Sequence, residues 1–196
     1  MSKADPASSK KEKHKALGWL ITIFIVTIFV SILISYASDA LMSGSHIAVA
    51  FLILFAIVLL GILFDVIGVA VTSADEKPFH SMAARKVPGA QEAIKLLRNA
   101  DKVGSICNDV IGDICGVVSG SASATIAAKV LSSGLVSLTW SQVVTLGMSA
   151  LVAGLTVGGK AMGKNVAINS CTSIVHIVGA LIYRFQHIPD LFRKKK

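Results

Sequence analysis

Three side chains with hard oxygen atoms, Asn108, Asp109 and Asp113, lie close together in a stretch that is otherwise apolar and rich in small residues. If that stretch crosses a membrane, its carboxylates are costly unless they are paired, hydrated or neutral. Carboxylate and amide oxygens are also the ligands that Mg²⁺ prefers, often with waters retained. The stretch is therefore the first candidate for cation chemistry. The alternative is that Asp109 and Asp113 only reach out to the polar interface.

Two further oxygen-bearing candidates lie on other apolar stretches. Asp65 lies near the end of the second apolar run, and Thr156 shares one helix face with Thr145 and Ser149, because their spacings of four and seven return to the same side. The alternative for these hydroxyls is a hydrogen bond to a carbonyl of their own preceding turn. The full predicted metal site comprises Asp65, Asn108, Asp109, Asp113 and Thr156.

Other reactive groupings are absent from the sequence. It contains no nucleophile elbow, zinc-protease motif or phosphate loop, so no enzyme activity is expected. Cys107, Cys115 and Cys171 lack metal spacing and are expected to be buried, inert thiols. Soft ligands do not accompany the oxygen atoms, which argues against zinc and copper. No firmly bound cofactor is expected, and Mg²⁺ is the ion that the oxygen set would suit.

The elements that must position these residues are apolar helices. Of the 196 residues, 54% are hydrophobic and only 15% are charged, whereas a soluble domain carries about 25% charged residues. A bilayer core needs about 20 apolar residues at the helical rise. The predicted fold class is therefore all-α, a polytopic helical membrane protein of about four transmembrane helices. These spans are expected at about 17–40, 46–72, 104–130 and 138–159.

The basic residues predict the orientation. When the chain is threaded through four spans from a cytoplasmic N-terminus, all of its 19 Lys and Arg residues except Lys129 lie on the cytoplasmic side. This bias is the main orientation signal of membrane proteins. Both termini are therefore predicted to be cytoplasmic, in a multi-pass protein of the cell membrane. The net charge of +8 is explained by these span ends and by anionic lipid, and nucleic acid is not an expected partner.

The transmembrane domain is predicted to cover residues 16–188. Residues 1–15 are polar and rich in Lys, which predicts a disordered cytoplasmic tail. Residues 189–196 are predicted to form a basic cytoplasmic tail.

Two amphipathic or interfacial elements are expected beside the spans. Residues 75–102 are charged and interrupted by Pro78 and Pro88, which predicts a juxtamembrane helical pair, with residues 91–99 as an amphipathic helix. Residues 165–184 are apolar but have basic flanks, so an interfacial or re-entrant helix is favoured over a further crossing.

Small residues recur every four positions along the third span, which places them on one stripe of the helix. Such stripes allow a neighbouring helix to approach closely. Helix packing is the favoured interpretation, and a homodimer packed through the third span is expected. The stripe comprises Gly112, Gly116, Gly120, Ala124 and Ala128, of which the three glycines are the predicted packing residues.

Several short patterns carry a family resemblance. Ala70-Val71-Thr72-Ser73 ends a span, a Leu-rich segment precedes Asn99-Ala100-Asp101-Lys102, and the polar Asn108 follows. In this order, residues 64–180 resemble the transmembrane domain of the CNNM/CorB-type magnesium transporter family. Residues 157–160 occupy the place of that family's E-x-x-P-K ending.

This sequence departs from the family pattern at several positions. Thr156 stands in the place of the family's Glu, and Gly159 in the place of its Pro. Gly68 stands near the place of the first span's acidic residue, with Asp65 three residues earlier. The family's cytoplasmic CBS pair has no counterpart here, and an additional N-terminal span is present.

The resemblance and the residues together predict a small bacterial-type inner-membrane protein that binds or transports a divalent cation, with Mg²⁺ as the expected ion. The alternative is a non-transporting membrane scaffold or subunit that keeps the fold without an ion site. The lipid bilayer is the expected surrounding, and a separate chain could supply regulation.

Overall fold

The computed structural model describes residues 6–134 and 140–193, with side-chain surroundings for residues 17–134 and 140–187. These residues are almost entirely helical and contain no strand. A π-helix at Ser105–Gly112 joins two α-helices end to end. The elements are α1 (Pro6–Ser43), α2 (Ile47–Ser73), α3 (Lys77–Ala84), α4 (Ala90–Arg98), α5 (Ala100–Gly104), the π-helix (Ser105–Gly112), α6 (Asp113–Ser132), α7 (Ser141–Asn169) and α8 (Cys171–Arg193).

Four helical segments in the described part of the chain are long and apolar enough to cross a membrane. Large apolar side chains such as Phe24, Phe55 and Leu146 point away from the protein, at 67%, 66% and 70% exposure, which suits contact with lipid. The predicted fold class, a polytopic helical membrane protein with a juxtamembrane helical pair, is therefore confirmed. The four segments are Leu17–Ser43, Ile47–Ser73, Ala100–Ser132 and Ser141–Asn169.

Helix α2 lies at the centre of the bundle. It packs along α6 and α7 and also contacts the π-helix, α5 and α8. Small residues let these helices approach closely: a Cβ atom at Gly61 would lie 2.8 Å from Cys115 Cβ, and one at Gly163 would lie 2.6 Å from Val66 Cγ2. Close packing of this kind is a main source of helix association in lipid, where apolar burial between helices gains little.

One apolar cluster of the interior joins the π-helix and α6 to α1, and two others lie at opposite ends of α2. Near its start, Ala50 and Leu54 pack with Met42 and with residues of α6 and α7. Near its end, Ala70 and Val71 pack with Phe79 and with residues of α4, α7 and α8. Asp65 lies on α2 between these two clusters.

Lys129 fastens the α1–α2 turn to α6. Its Nζ donates hydrogen bonds to the backbone carbonyls of Met42 and Ser45, the latter at 2.8 Å. The last carbonyls of a helix have no helical N–H partner, so this ammonium supplies donors that the end of α1 lacks. The basic residue that the charge bias leaves outside therefore has a structural role.

Helix α8 lies against α4 and α2. Its contact with α4 depends on Gly89, which adopts φ +85°, and on Gly179, because a Cβ atom at either position would collide with the other segment's backbone. The amphipathic segment predicted at 91–99 is α4, which buries Ala93 and Ile94. The interfacial or re-entrant placement of residues 165–184, now the C-terminal part of α7 and most of α8, stays a prediction.

The structure differs from the disorder predicted for the N-terminal tail. Helix α1 begins at Pro6, so residues 6–15 are helical rather than disordered, and residues 1–5 lie outside the described part. Pro is tolerated in a first turn, the Lys, Glu and Ala residues that follow are good helix formers, and an existing spanning helix needs no new nucleus to extend. Helix α8 likewise reaches Arg193.

The fourth span is longer than predicted. Residues 138–139 lie outside the described part, and α7 runs from Ser141 to Asn169 instead of ending near residue 159. The adjacent glycines Gly158 and Gly159 do not break it, because the Ile62 side chain of α2 packs where a Gly159 side chain would be. Lys160 consequently lies more than two turns inside the helix.

Candidate functional site

A lysine lies between two of the predicted carboxylates. Lys160 Nζ is 3.8 Å from Asp65 Oδ1 and 3.5 Å from Asp113 Oδ1. These residues belong to α7, α2 and α6, so three helices meet at one ammonium group, and we call them the Asp–Lys–Asp cluster. Both separations exceed the ~2.7–3.2 Å of an N–H···O hydrogen bond. The ammonium is therefore a counter-charge held between the carboxylates rather than a closely bonded donor.

The cluster is buried at one end and open at the other. The side-chain exposure is 17% for Asp65, 23% for Lys160 and 72% for Asp113. Two carboxylates share one ammonium, which leaves one formal negative charge in the ionised cluster. Because charges interact more strongly away from water, Asp65 attracts a positive charge more strongly than Asp113 does. Asp113 is the carboxylate that is accessible from outside the protomer.

Gly112 provides the space that the ammonium occupies. A Cβ atom at this position would lie 3.4 Å from Lys160 Nζ, 3.8 Å from Asp65 Oδ1 and 3.2 Å from the Cys107 carbonyl oxygen. Any side chain here would crowd the cluster. Gly112, which was predicted as a helix-packing residue, therefore packs against the charged groups themselves.

The π-helix carries Asn108, the third predicted ligand. π-helices are rare and often mark functional sites. The Asn108 side chain fills the space left by Gly68 of α2, where a Cβ atom would overlap the amide. Within the described residues, the buried Oδ1 of Asn108 has no hydrogen-bond partner. An unpaired buried acceptor is costly, and Gly68 lies less than one turn along α2 from Asp65.

Two predicted ligands, Asp109 and Thr156, have no ion pair or hydrogen bond with the cluster in the described chain. Asp109 is exposed, and the described part of the chain gives it no ion-pair partner. Thr156 Oγ1 donates to the Val152 carbonyl at 2.8 Å, and Thr145 Oγ1 donates to the Ser141 carbonyl at 2.9 Å. These are the backbone hydrogen bonds given as the alternative for the hydroxyl face.

The predicted small-residue stripe divides into two parts. Gly112 is closely packed, but Cβ atoms at Gly116 and Gly120 would meet nothing within 4 Å in the described chain. Asp113 and Ala124 are exposed on the same helix. Gly116 and Gly120 therefore contact no other helix of the described protomer, and this surface faces lipid or a second copy.

The position of Lys160 beside two carboxylates was not predicted. In the sequence, Lys160 counts only as an orientation signal at the end of the fourth span. The available signal was the stretch from Lys160 to Asn169, which contains no Pro and only one Gly. Such a stretch can continue a helix, and a continued helix places Lys160 among the spans. The close contact between Gly68 and Asn108 had no comparable signal.

The donor set agrees with a hydrated hard cation. The described residues contain no group of three or more His, Cys, Asp and Glu side chains arranged to hold a metal. Mg²⁺ commonly keeps several waters and uses only one or two carboxylates, so Asp65 and Asp113 suffice in number. The cysteines are free, with Cys107 and Cys115 buried.

Comparison of the chain with family models, with curated proteins and with solved structures finds no match. The class of protein is therefore defined by the fold and by the site alone. The chain is a multi-pass helical membrane protein with a charged cluster among its central helices.

Proposed function

We propose that this protein binds a divalent cation, expected to be Mg²⁺, at Asp65 and Asp113, and carries it across the membrane. The observation that supports this most is the meeting of two carboxylates from different helices around a single ammonium. One ammonium can neutralise only one of them. A divalent cation would neutralise both, which favours a double charge over a single one at this place.

Asn108 adds support from an independent feature. Its buried and unpartnered Oδ1 is a neutral oxygen of the kind that hard cations accept. Its place in a π-helix also fits a functional site. Asn108 is one of the positions that carry the resemblance to the magnesium transporter family, so the geometry and the resemblance favour the same residue.

A second candidate function is a membrane scaffold or subunit without an ion site. The position of Lys160 favours it, because a lysine already balances part of the acidic charge. Thr156 also favours it, since its hydroxyl bonds to the Val152 carbonyl where the similar family has a Glu. A membrane helix with a paired charge can serve packing alone.

We also propose a homodimer that closes over the face of α6 carrying Gly116 and Gly120. The open space at these glycines supports this arrangement, and the same interface would cover the exposed Asp113. Both termini lie in the cytoplasm in this arrangement, as the charge bias predicts, and the membrane is a bacterial inner membrane. A separate chain could supply further regulation.

Thermal unfolding of the detergent-purified protein tests the cation proposal. Mg²⁺ should raise the midpoint temperature in a titration in which NaCl keeps the ionic strength constant. A bound ligand stabilises by RT ln(1 + [L]/Kd), which is about 2.7 kcal/mol at 100 Kd. Asp65→Asn and Asp113→Asn should remove the Mg²⁺-specific part of the rise.

Asp109→Asn is the matched control, because it removes a nearby exposed carboxylate that makes no ion pair with Lys160 in the described chain. A rise that Asp109→Asn lowers as much as Asp113→Asn would point to general charge screening. The absence of an Mg²⁺-specific rise at tens of millimolar would favour the scaffold.

A further inference from the structure

We infer that Lys160 is a tethered competitor of the cation: its ammonium occupies the carboxylates in the empty site and must leave them when a divalent cation binds. This inference concerns the regulation of the proposed site, and it rests on the proposed function. It assigns to Lys160 a role in setting affinity that differs from a structural ion pair.

The position of the ammonium is the first argument. Lys160 Nζ faces one oxygen of Asp65 and one of Asp113. Oxygen ligands of Mg²⁺ lie at ~2.0–2.1 Å from the ion, so an ion that bound both carboxylates directly would occupy the region between them. The ammonium occupies that same region, and Gly112 leaves no side chain there to separate the two cations. Simultaneous occupancy would place three positive charges beside two negative ones.

The looseness of the pairing is the second argument. At 3.5 and 3.8 Å, the ammonium interacts by charge and not by short hydrogen bonds. A lysine side chain is a flexible stem with a compact charge. It can therefore withdraw without moving α7, whereas the planar guanidinium of an arginine could grip one carboxylate with two parallel bonds.

The expected consequence is that the affinity for the cation is lower than the two carboxylates alone would give. In the empty site the ammonium balances one of the two negative charges. When the ammonium returns to the carboxylates, it assists release of the cation. A carrier benefits from such weakening, because binding must be favourable enough to load and weak enough to unload.

The test compares four versions of the full-length protein in detergent. They are the wild type, Lys160→Met, Lys160→Arg and Lys164→Met, each titrated with MgCl₂ at constant ionic strength. Lys164 is one turn further along α7 and exposed, so Lys164→Met removes the same charge outside the cluster. Lys160→Met should lower the apparent Kd for Mg²⁺ about tenfold, which corresponds to about 1.4 kcal/mol. Lys160→Arg should raise the apparent Kd, and Lys164→Met should leave it within about twofold.

A second measurement uses only the wild-type protein, so it does not depend on the folding of a variant. An amine-reactive reagent is added with and without MgCl₂, and mass spectrometry follows the modification of each lysine. Mg²⁺ should accelerate the modification of Lys160 several-fold, because the displaced ammonium becomes accessible. The rate at Lys164 serves as the internal control and should stay unchanged.

The outcomes separate the two proposals. If Mg²⁺ stabilises the wild type but Lys160→Met binds it equally or more weakly and the labelling of Lys160 does not increase, the competitor role is wrong and the binding function stands. If neither the wild type nor Lys160→Met responds to Mg²⁺, the proposed function itself is wrong. A tighter Kd in Lys160→Met together with faster labelling of Lys160 in the wild type supports both.

Discussion

Two lysines lie among the central helices, and their surroundings differ in one decisive respect. Lys129 donates to two uncharged backbone carbonyls at the α1–α2 turn, whereas Lys160 lies between two carboxylates. The carbonyls need a hydrogen-bond donor, and a cation from solution would not replace the ammonium without a loss of free energy. The carboxylates need only positive charge. The same side chain is therefore a fixed connector at one position and an exchangeable counter-charge at the other.

Removing Lys129 should produce the largest effect on stability. Lys129→Met removes two charged hydrogen bonds and leaves the Ser45 carbonyl without a donor, whereas the Met42 carbonyl keeps the Ser45 N–H and hydroxyl. Hydrogen bonds to charged groups contribute about 1.5–3 kcal/mol each. A loss of roughly 3 kcal/mol in the free energy of unfolding is expected in a denaturant titration, with no change in the response to Mg²⁺. A loss below about 1 kcal/mol in the free energy of unfolding would show that water can replace the ammonium. Lys129 would then be no more fixed in its role than Lys160.

Filling the space beside the cluster should have the next largest effect. Gly68→Ala adds a methyl group where the Asn108 amide lies, and overpacking of this kind costs about 1–3 kcal/mol. The double variant with Asn108→Ala should recover most of that stability, because the smaller side chain removes the overlap. Equal losses in the single and double variants would show that the two positions do not contact each other. The midpoint of thermal unfolding is the readout.

Removing Lys160 should cost less than removing Lys129 when no divalent cation is present. Lys160→Met leaves two carboxylates without their counter-charge, but Asp113 is 72% exposed and can turn away from Asp65, so the expected loss is about 1 kcal/mol or less. Addition of Mg²⁺ should reverse this loss in Lys160→Met but not the loss in Lys129→Met. Reversal in both variants would mean that Mg²⁺ acts on the whole protein and not at the cluster.

The smallest effect on protomer stability is expected at the open face of α6. Gly116→Leu fills space that nothing else in the described chain occupies. The free energy of unfolding in detergent should therefore change by less than about 0.5 kcal/mol. Dimer formation, measured by cross-linking in membranes, should be lost if this face joins two copies. A normal dimer would place the interface elsewhere and leave Asp113 open to solvent.

Much of this fold is predictable because membrane spans depend on residue type alone. The order of the four apolar helices and the juxtamembrane pair follow from hydropathy, prolines and charges. Asp65 and Asp113 could be proposed as partners because both are acidic residues in apolar stretches. Lys160 is harder to place, because the Pro-free stretch after it permits a continued helix, while passage through Gly158 and Gly159 also depends on Ile62 of another helix.

The π-helix could not be predicted from the sequence either. Residues 105–112 have no composition that distinguishes a π-helix from an α-helix, since the two differ in hydrogen-bond register and not in residue type. The register is fixed by contacts between helices, among them Asn108 against Gly68 and Gly104 against Thr72. On the hydroxyl face of α7, Thr145 and Thr156 hydrogen-bond within their own helix, whereas Ser149 reaches Ser123 of α6.

The bonds of Lys129 also set an order of events during synthesis of the chain. Its partners Met42 and Ser45 precede it by 87 and 84 residues. At about 5–20 residues per second, the turn between the first two helices therefore leaves the ribosome roughly 4–17 seconds before the side chain that completes it. During that interval the Ser45 carbonyl at the tip of the newly made helical pair lacks its donor, and the arrival of the third spanning helix supplies it. A pulse-chase experiment should accordingly find the tip open to proteases in short nascent chains and protected once α6 has joined.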